Sequence, residues 1–122
     1  MFLVFLSQEI RGELPIEFSY FPFLQGFSLA WNQIHGTIPS EYGNMPHLLN
    51  FEVHYNMLTG TIPPELSRAE NLQMFNIAAN EISGSFPDTF FDMTNIKGLF
   101  VYENLMTGTF PSELSRLSLL SK

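Results

Sequence analysis

Short runs of alternating apolar and polar positions recur along the chain at a fixed spacing of 24 residues. In the run from Gly26 to Ala30, alternation directs Phe27 and Leu29 to one face and their neighbours to the other. Apolar residues fill the same two positions in every copy. The two columns are Leu3, Phe27, Phe51, Phe75 and Leu99, and Phe5, Leu29, Val53, Ile77 and Val101. The pattern predicts short β-strands stacked into a parallel sheet with one buried face.

A second pattern with the same period follows each strand. Gly-x-apolar-Pro occurs five times, and a polar amide stands four residues before each glycine. The glycines are Gly12, Gly36, Gly60, Gly84 and Gly108; the amides are Gln8, Asn32, Asn56, Asn80 and Asn104. A third apolar column lies between them, at Ile10, Ile34, Leu58, Ile82 and Met106. Glycine permits positive φ or close approach, and proline fixes φ at about −65°, so a return segment is expected to begin there.

The amide after each strand can hydrogen-bond backbone groups of its own repeat and of its neighbour, which predicts a structural asparagine ladder of Asn32, Asn56, Asn80 and Asn104. The return segments are expected to bury Phe18, Tyr42, Leu66, Phe90 and Leu114, with Phe21, Met45, Ala69, Met93 and Leu117 behind them. No repeat can bury its strand and its return alone, so neighbours complete the core.

The sequence thus predicts an α/β repeat solenoid, a right-handed superhelix with a parallel sheet on its concave face and short helical or irregular returns on its convex face. It predicts one domain, 1–122, of about five repeats: a partial 1–23, then 24–47, 48–71, 72–95 and 96–122. A β-sandwich with regular turns would not reproduce the asparagine, glycine and proline columns.

These columns resemble the plant-type leucine-rich repeat, most clearly in the segment from Leu48 to Leu66. The resemblance covers essentially the whole chain. It implies the ectodomain fold of receptor-like kinases and receptor-like proteins, a peptide, protein or glycan as ligand, and a location at the cell surface or in the secreted fraction. The paired cysteines usual in extracellular members are absent, and Gln8 stands in the asparagine column, so the chain looks like a fragment of a longer array or a minimal uncapped gene product.

Outward strand positions give the candidate binding face. Aromatic and acidic residues collect there without a packing need, and such aromatics are typical of binding hot spots. The candidates are Trp31, Glu52, His54, Tyr55, Asn76, Phe100, Tyr102 and Glu103. The alternative explanation is β-propensity, or contact with the next aromatic along the sheet. Glu52 and Glu103 favour a neutral or cationic partner.

Two other functions stay open at this point. The chain could be a structural spacer within a longer array. It could also bind ice through its hydroxyl columns, although threonine and serine are common at turns. These columns are Thr37, Thr61, Ser85 and Thr109, and Thr59, Ser83 and Thr107.

Composition narrows the range of partners. The net charge is −7, from twelve carboxylates against five scattered basic residues, which disfavours nucleic acid and anionic membrane surfaces. No apolar run approaches the roughly 20 residues of a membrane span. The chain has no cysteine, which excludes disulfides and thiolate metal sites.

Catalytic signals are weak. The three histidines, His35, His47 and His54, occupy different columns and are not expected to converge. Glu52 lies two residues from His54 and is expected to orient it or raise its pKa. No nucleotide-binding loop, HExxH or triad pattern occurs, so no enzyme activity, cofactor or metal is expected.

The ends of the array carry a separate expectation. Terminal repeats need a polar cap, and this chain has apolar residues there instead: Leu3, Phe5, Leu117, Leu119 and Leu120. We expect weak stability or end-to-end self-association through these ends.

Overall fold

The computed structural model describes residues 1–108, which form short strands and 3₁₀ helices. In chain order the strands are β1 (Phe2–Val4), β2 (Arg11–Glu13), β3 (Gly26–Ser28), β4 (Gln33–Gly36), β5 (Asn50–Glu52), β6 (Met57–Leu58), β7 (Met74–Asn76), β8 (Ser83–Gly84), β9 (Gly98–Phe100) and β10 (Leu105–Met106). The 3₁₀ helices are η1 (Ile16–Tyr20), η2 (Ser40–Asn44), η3 (Pro64–Arg68) and η4 (Asp88–Asp92). Leu114, Leu117, Leu119, Leu120 and Thr109 lie outside the described residues.

The principal sheet contains the five predicted strands, in the order β1-β3-β5-β7-β9 and all parallel. Its register pairs residues 24 apart, so Phe27 lies beside Phe51 and Phe51 beside Phe75. The repeat solenoid predicted from the sequence is confirmed, because a strict 24-residue period is what in-register stacking requires.

Aromatic rings fill the core beneath this sheet. Phe27 and Phe51 meet edge to face at 5.3 Å between ring centroids, and Phe51 stacks on Phe75 at 5.4 Å. Tyr42 projects from η2 between Phe27 and Phe51, with its ring 5.3 Å and 5.9 Å from theirs. Its hydroxyl donates a hydrogen bond to the Pro15 carbonyl at 2.6 Å, which supplies the partner that a buried phenol needs. Burial raises the pKa of Tyr42.

The asparagine side chains hydrogen-bond the backbone on both sides of each repeat boundary. Asn56 Oδ1 accepts from the Ile34 amide at 2.9 Å, and its Nδ2 donates to the carbonyls of Leu29 and Val53. Asn32, Asn80 and Asn104 bond in the same pattern. Gln8 instead donates to Leu6 within its own repeat. One amide thus satisfies a donor and acceptors that the turn would otherwise leave buried and unpaired.

A second layer of strands follows the asparagines and was not expected. β2, β4 and β6 form one parallel sheet, and β8 pairs with β10. These strands have only two to four residues and carry polar side chains such as Gln33 and His35, so alternation does not reveal them. Their pairing follows from stacking, because the asparagine turn brings the same segment of each repeat alongside its neighbour.

Each of the four described return segments begins after a proline at φ between −65° and −71° and forms one 3₁₀ helix. Tyr42, Leu66 and Phe90 are buried there as expected, and so are Met45, Ala69 and Met93. Phe18 is only partly buried, and the expected burial of Phe21 is wrong, since its side chain is 48% exposed. The reason is that η1 packs on η2 alone, whereas η2 and η3 each have two neighbours. Within residues 1–108 no helix has the length and hydropathy to cross a membrane.

Candidate functional site

The residue before each asparagine of the ladder, and the residue before Gln8, has left-handed backbone. Ser7, Trp31, Tyr55, Ala79 and Glu103 all have φ between 52° and 60°. The turn is held by backbone hydrogen bonds between repeats, such as Trp31 N–H to the His54 carbonyl at 3.0 Å. Left-handed φ costs a non-glycine residue about 1 kcal/mol or more, and large aromatics have no preference for it.

Several candidates therefore lie beyond the strands rather than in them. Glu52, Asn76 and Phe100 are the last residues of β5, β7 and β9 and are paired across the sheet. The others follow the strand ends: Trp31, His54, Tyr55, Tyr102 and Glu103. For Trp31 and Tyr55, β-propensity is consequently the wrong explanation, because the two residues adopt turn conformation.

Trp31 and Tyr55 stack on one another at the surface. Their ring centroids are 3.8 Å apart and the rings are nearly parallel, at 6°. Trp31 is 54% exposed and Tyr55 is partly exposed. The His54 and Tyr55 rings meet edge to face, with 6.1 Å between their centroids. The sequence-based alternative of contact between successive aromatics is thus realised, and the outer surface of the pair stays open to solvent.

The pKa of His54 is lowered, not raised. Burial is the larger effect, and the Glu52 carboxylate opposes it without reversing it. Glu52 acts to raise this pKa as expected, but the net shift is downward because partial desolvation of the imidazolium outweighs one nearby charge. His54 Nδ1 is buried and has no hydrogen-bond partner within residues 1–108. His54 is accordingly a neutral ring at pH 7.

Acidic charge surrounds the Tyr55 hydroxyl. Its pKa is raised, first by Glu103, then by burial and by Tyr102. The phenol therefore stays protonated near neutral pH and keeps a donor. Glu103 and Tyr102 lie two repeats after Tyr55. Their effect on its pKa means that residues two repeats apart interact electrostatically on this surface.

The outward positions are less uniformly exposed than the register predicts. Ser28, Ala30 and Ala78 are buried although they belong to the outward columns. Longer neighbours cover such small residues: a Cβ added to Gly26 would lie 2.8 Å from the Asn50 side chain and 2.9 Å from Phe2. Asn76 Oδ1 also accepts from the Ala78 backbone amide at 3.1 Å, which uses part of its capacity.

Sequence reasoning overlooked Ala78 and Ala79 as part of the site. They stand between His54 and Tyr55 on one side and Tyr102 and Glu103 on the other. The sequence contains a signal for them, because a large, a small and a large side chain follow one another at 24-residue spacing. The two sets are His54, Ala78 and Tyr102, and Tyr55, Ala79 and Glu103.

The other two histidines lie in other parts of the repeat. His35 lies in β4, and the His47 ring is 5.8 Å from Phe23. The hydroxyls of Thr59 and Ser83 donate to the carbonyls of Gly36 and Gly60. Among the described residues no cluster of histidine and carboxylate side chains could hold a metal ion.

No family model matches the sequence. No curated protein matches it either. Among solved structures, this chain is similar to the LRR ectodomain of the plant membrane receptor kinase GASSHO1/SCHENGEN3 from Arabidopsis thaliana in complex with CASPARIAN STRIP INTEGRITY FACTOR 2. The TM-score is 0.92 and the identity 28%, over 98% of this chain and 14% of that one.

Two further structures from Arabidopsis are similar. The HAESA LRR ectodomain, in complex with an N-terminally extended IDA peptide hormone, has a TM-score of 0.85 and 31% identity, over 92% of this chain and 19% of that one. The BIR3–SERK2 complex gives a TM-score of 0.86 and 30% identity, over 91% of this chain and 60% of that one. The chain therefore spans less than two thirds of each of these proteins.

Proposed function

Since this chain is a leucine-rich-repeat solenoid of the plant type, we propose that it is a non-catalytic recognition module of a receptor-like protein. Its ligand is a peptide or a protein. The binding surface is the aromatic-acidic patch on the principal sheet face, made of Trp31, Glu52, His54, Tyr55, Asn76, Phe100, Tyr102 and Glu103.

The observation that carries this proposal is the exposed stack of Trp31 on Tyr55. Neither residue contributes to the buried core, and both adopt a backbone conformation that aromatics do not favour. Exposed aromatics on a rigid scaffold offer contact area at little entropic cost, which suits them to recognition. The partners of similar ectodomains, a peptide hormone for HAESA and the protein SERK2 for BIR3, support the same ligand classes.

Selection of peptides on the intact chain tests the proposal. Peptides from a random library are selected on the immobilised 122-residue protein and then measured against the Trp31→Ala/Tyr55→Ala double variant. We expect at least tenfold weaker binding by the variant, since hot-spot truncation often costs about 2 kcal/mol. Tyr20→Ala is the matched control, because Tyr20 is an exposed aromatic on η1.

The outcome separates recognition from the spacer alternative. If selected peptides bind the double variant and the wild type equally, the patch is not the binding surface. If no peptide is selected but an oligosaccharide array gives ligands that depend on Trp31 and Tyr55, the ligand is a glycan stacked on the same rings.

A second proposal concerns self-association through the β1 end. Phe2, Val4, Phe5 and Leu6 are between 42% and 60% exposed, and β1 pairs with β3 alone. An exposed apolar edge strand is a template for another chain. Sedimentation at rising concentration should give a mass above the monomer, and Val4→Lys should restore the monomer. A monomer at all concentrations would contradict this proposal.

A further inference from the structure

The next position along the array from the Trp31–Tyr55 stack carries a small side chain. Because the two rings are parallel, the free face of Tyr55 points away from Trp31, along the array towards Ala79. Ala79 has only a methyl group, too short to cover a phenol ring. The next side chain in the same left-handed column is Glu103. Two strand spacings, about 9.6 Å, separate the backbone positions of Tyr55 and Glu103.

The neighbouring column repeats this arrangement. His54 and Tyr102 lie on either side of Ala78, which is fully buried and so forms a floor rather than a wall. We define the arginine slot as the gap with Ala78 and Ala79 as its floor, His54 and Tyr55 as one wall, and Tyr102 and Glu103 as the other. A planar group in van der Waals contact with the Tyr55 ring, about 3.5 Å from it, fits within this spacing of about 9.6 Å.

The charges around the slot select a cation. Glu103 closes one side and Glu52 lies at the end of β5 on the same face. The basic residues of the described chain lie elsewhere: Arg11 is in β2, Arg68 is in η3, and Lys97 precedes β9 at the far end of that strand. The influence of Glu103 on the pKa of Tyr55 agrees with a carboxylate that faces the slot.

Resting on the proposed function above, we propose that the slot binds an arginine side chain of the partner, with the guanidinium stacked on Tyr55 and paired to Glu103. A guanidinium is planar, stacks on an aromatic face and donates two parallel hydrogen bonds to one carboxylate. The lysine ammonium group carries the positive charge but is not planar. A neutral aromatic ring is planar but has no positive charge to pair with Glu103.

The test uses the full 122-residue chain and three small probes. N-acetyl-arginine amide carries the guanidinium, N-acetyl-citrulline amide has the same planar shape without charge, and N-acetyl-lysine amide has the charge alone. Trp31 is the only tryptophan, so its fluorescence reports on the stack without background. The methyl signals of Ala78 and Ala79 locate the probe, with the buried Ala69 on the opposite side as reference.

We expect the arginine amide to bind roughly fivefold or more tightly than either other probe at low salt, and to shift the Ala78 and Ala79 methyls. Glu103→Gln should remove most of that preference over citrulline. Glu41→Gln, the same charge change on exposed η2, should leave it unchanged. Ala79→Gln, which fills the slot, should weaken binding of the arginine amide without disturbing the fold measured by circular dichroism.

Equal affinity for the three amides overturns the slot, as does a shift of Ala69 in place of Ala78 and Ala79. Retained arginine preference in Glu103→Gln overturns it too. In each case, the proposed recognition function would still hold if the binding of selected peptides depends on Trp31 and Tyr55.

Discussion

At the scale of the residue, two adjacent positions divide the work of each turn. The asparagine side chain holds the backbone by hydrogen bonds. The residue before it, which has left-handed backbone, presents its side chain at the surface. Tyr55 and Asn56 are one such pair. Because the amide of Asn56 and the inter-repeat hydrogen bonds hold the turn, the preceding position can vary from serine to tryptophan at the same φ.

Removal of one buried amide should therefore be costly. Asn56→Ala leaves the Ile34 amide and the carbonyls of Leu29 and Val53 without this partner. We expect the free energy of unfolding in urea to fall by about 3 kcal/mol, since an unsatisfied buried polar group costs about 1–3 kcal/mol. Asn71→Ala removes one exposed hydrogen bond, to the Pro46 carbonyl, and should cost under about 1 kcal/mol. Equal losses would show that the asparagine column is not structural.

His54 gives a pH dependence with a definite sign. Its pKa is lowered in the folded state, so the unfolded chain binds a proton more readily. Stability from the neutral ring is present above the unfolded pKa of about 6.5 and is lost as pH falls towards the lower folded value. Between about pH 7 and about pH 5.5, the wild-type Tm should fall more than that of His54→Gln, whereas His35→Gln should follow the wild type. An NMR titration of His54 with a midpoint above that of a free histidine would contradict this.

At the scale of the element, the 3₁₀ helices pack closely enough that one position in η2 admits no side chain. A Cβ added to Gly43 would overlap the Glu65 carbonyl oxygen at the start of η3, and this atom is backbone that cannot turn aside. Gly43 has no positive φ to explain its identity. Close approach of η2 and η3 is the reason for this glycine.

Gly43→Ala should accordingly destabilise the protein by about 2 kcal/mol or more, because η2 and η3 must separate. Ser67→Ala places the same residue at the equivalent position of η3, where only the hydrogen bond to the Pro64 carbonyl is lost. Its cost should be under about 1 kcal/mol in the same urea titration. A Gly43→Ala variant as stable as Ser67→Ala would mean that the two helices are more loosely packed.

The sequence predicts these elements to different degrees. The five long-period strands follow from Phe27, Phe51 and Phe75, because a 24-residue column of large apolar residues needs a common core. The β2-β4-β6 sheet could not be predicted, because its pairing comes from stacked neighbours and not from local alternation. For the site, Trp31 and Tyr55 could be predicted as candidates because their side chains are large and outward-facing. Their parallel stack depends on the left-handed turn, which the strand register does not reveal.

At the scale of the whole molecule, the net charge of the chain and the acidic residues of the patch both favour a cationic partner. The chain carries −7, and the patch adds two carboxylates to its aromatic rings. A cationic partner is attracted before contact, and this long-range attraction depends on ionic strength.

We therefore expect the association rate of an arginine-containing selected peptide to fall roughly threefold to tenfold when the salt rises from about 0.01 M to about 0.1 M, as the Debye length shrinks from about 30 Å to about 10 Å. The dissociation rate should change much less. Stopped-flow measurements on Trp31 fluorescence give both rates. An association rate independent of salt would contradict steering by the acidic charge.

The central claim is that recognition occurs on the principal sheet face, and mapping a selected peptide by backbone amide chemical shifts tests it most directly. We expect the largest shifts at Trp31, Glu52, His54, Tyr55, Asn76, Phe100, Tyr102 and Glu103, together with Ala78 and Ala79. Shifts confined to the return helices, such as η3 and η4, would place binding on the opposite side of the solenoid and contradict the account.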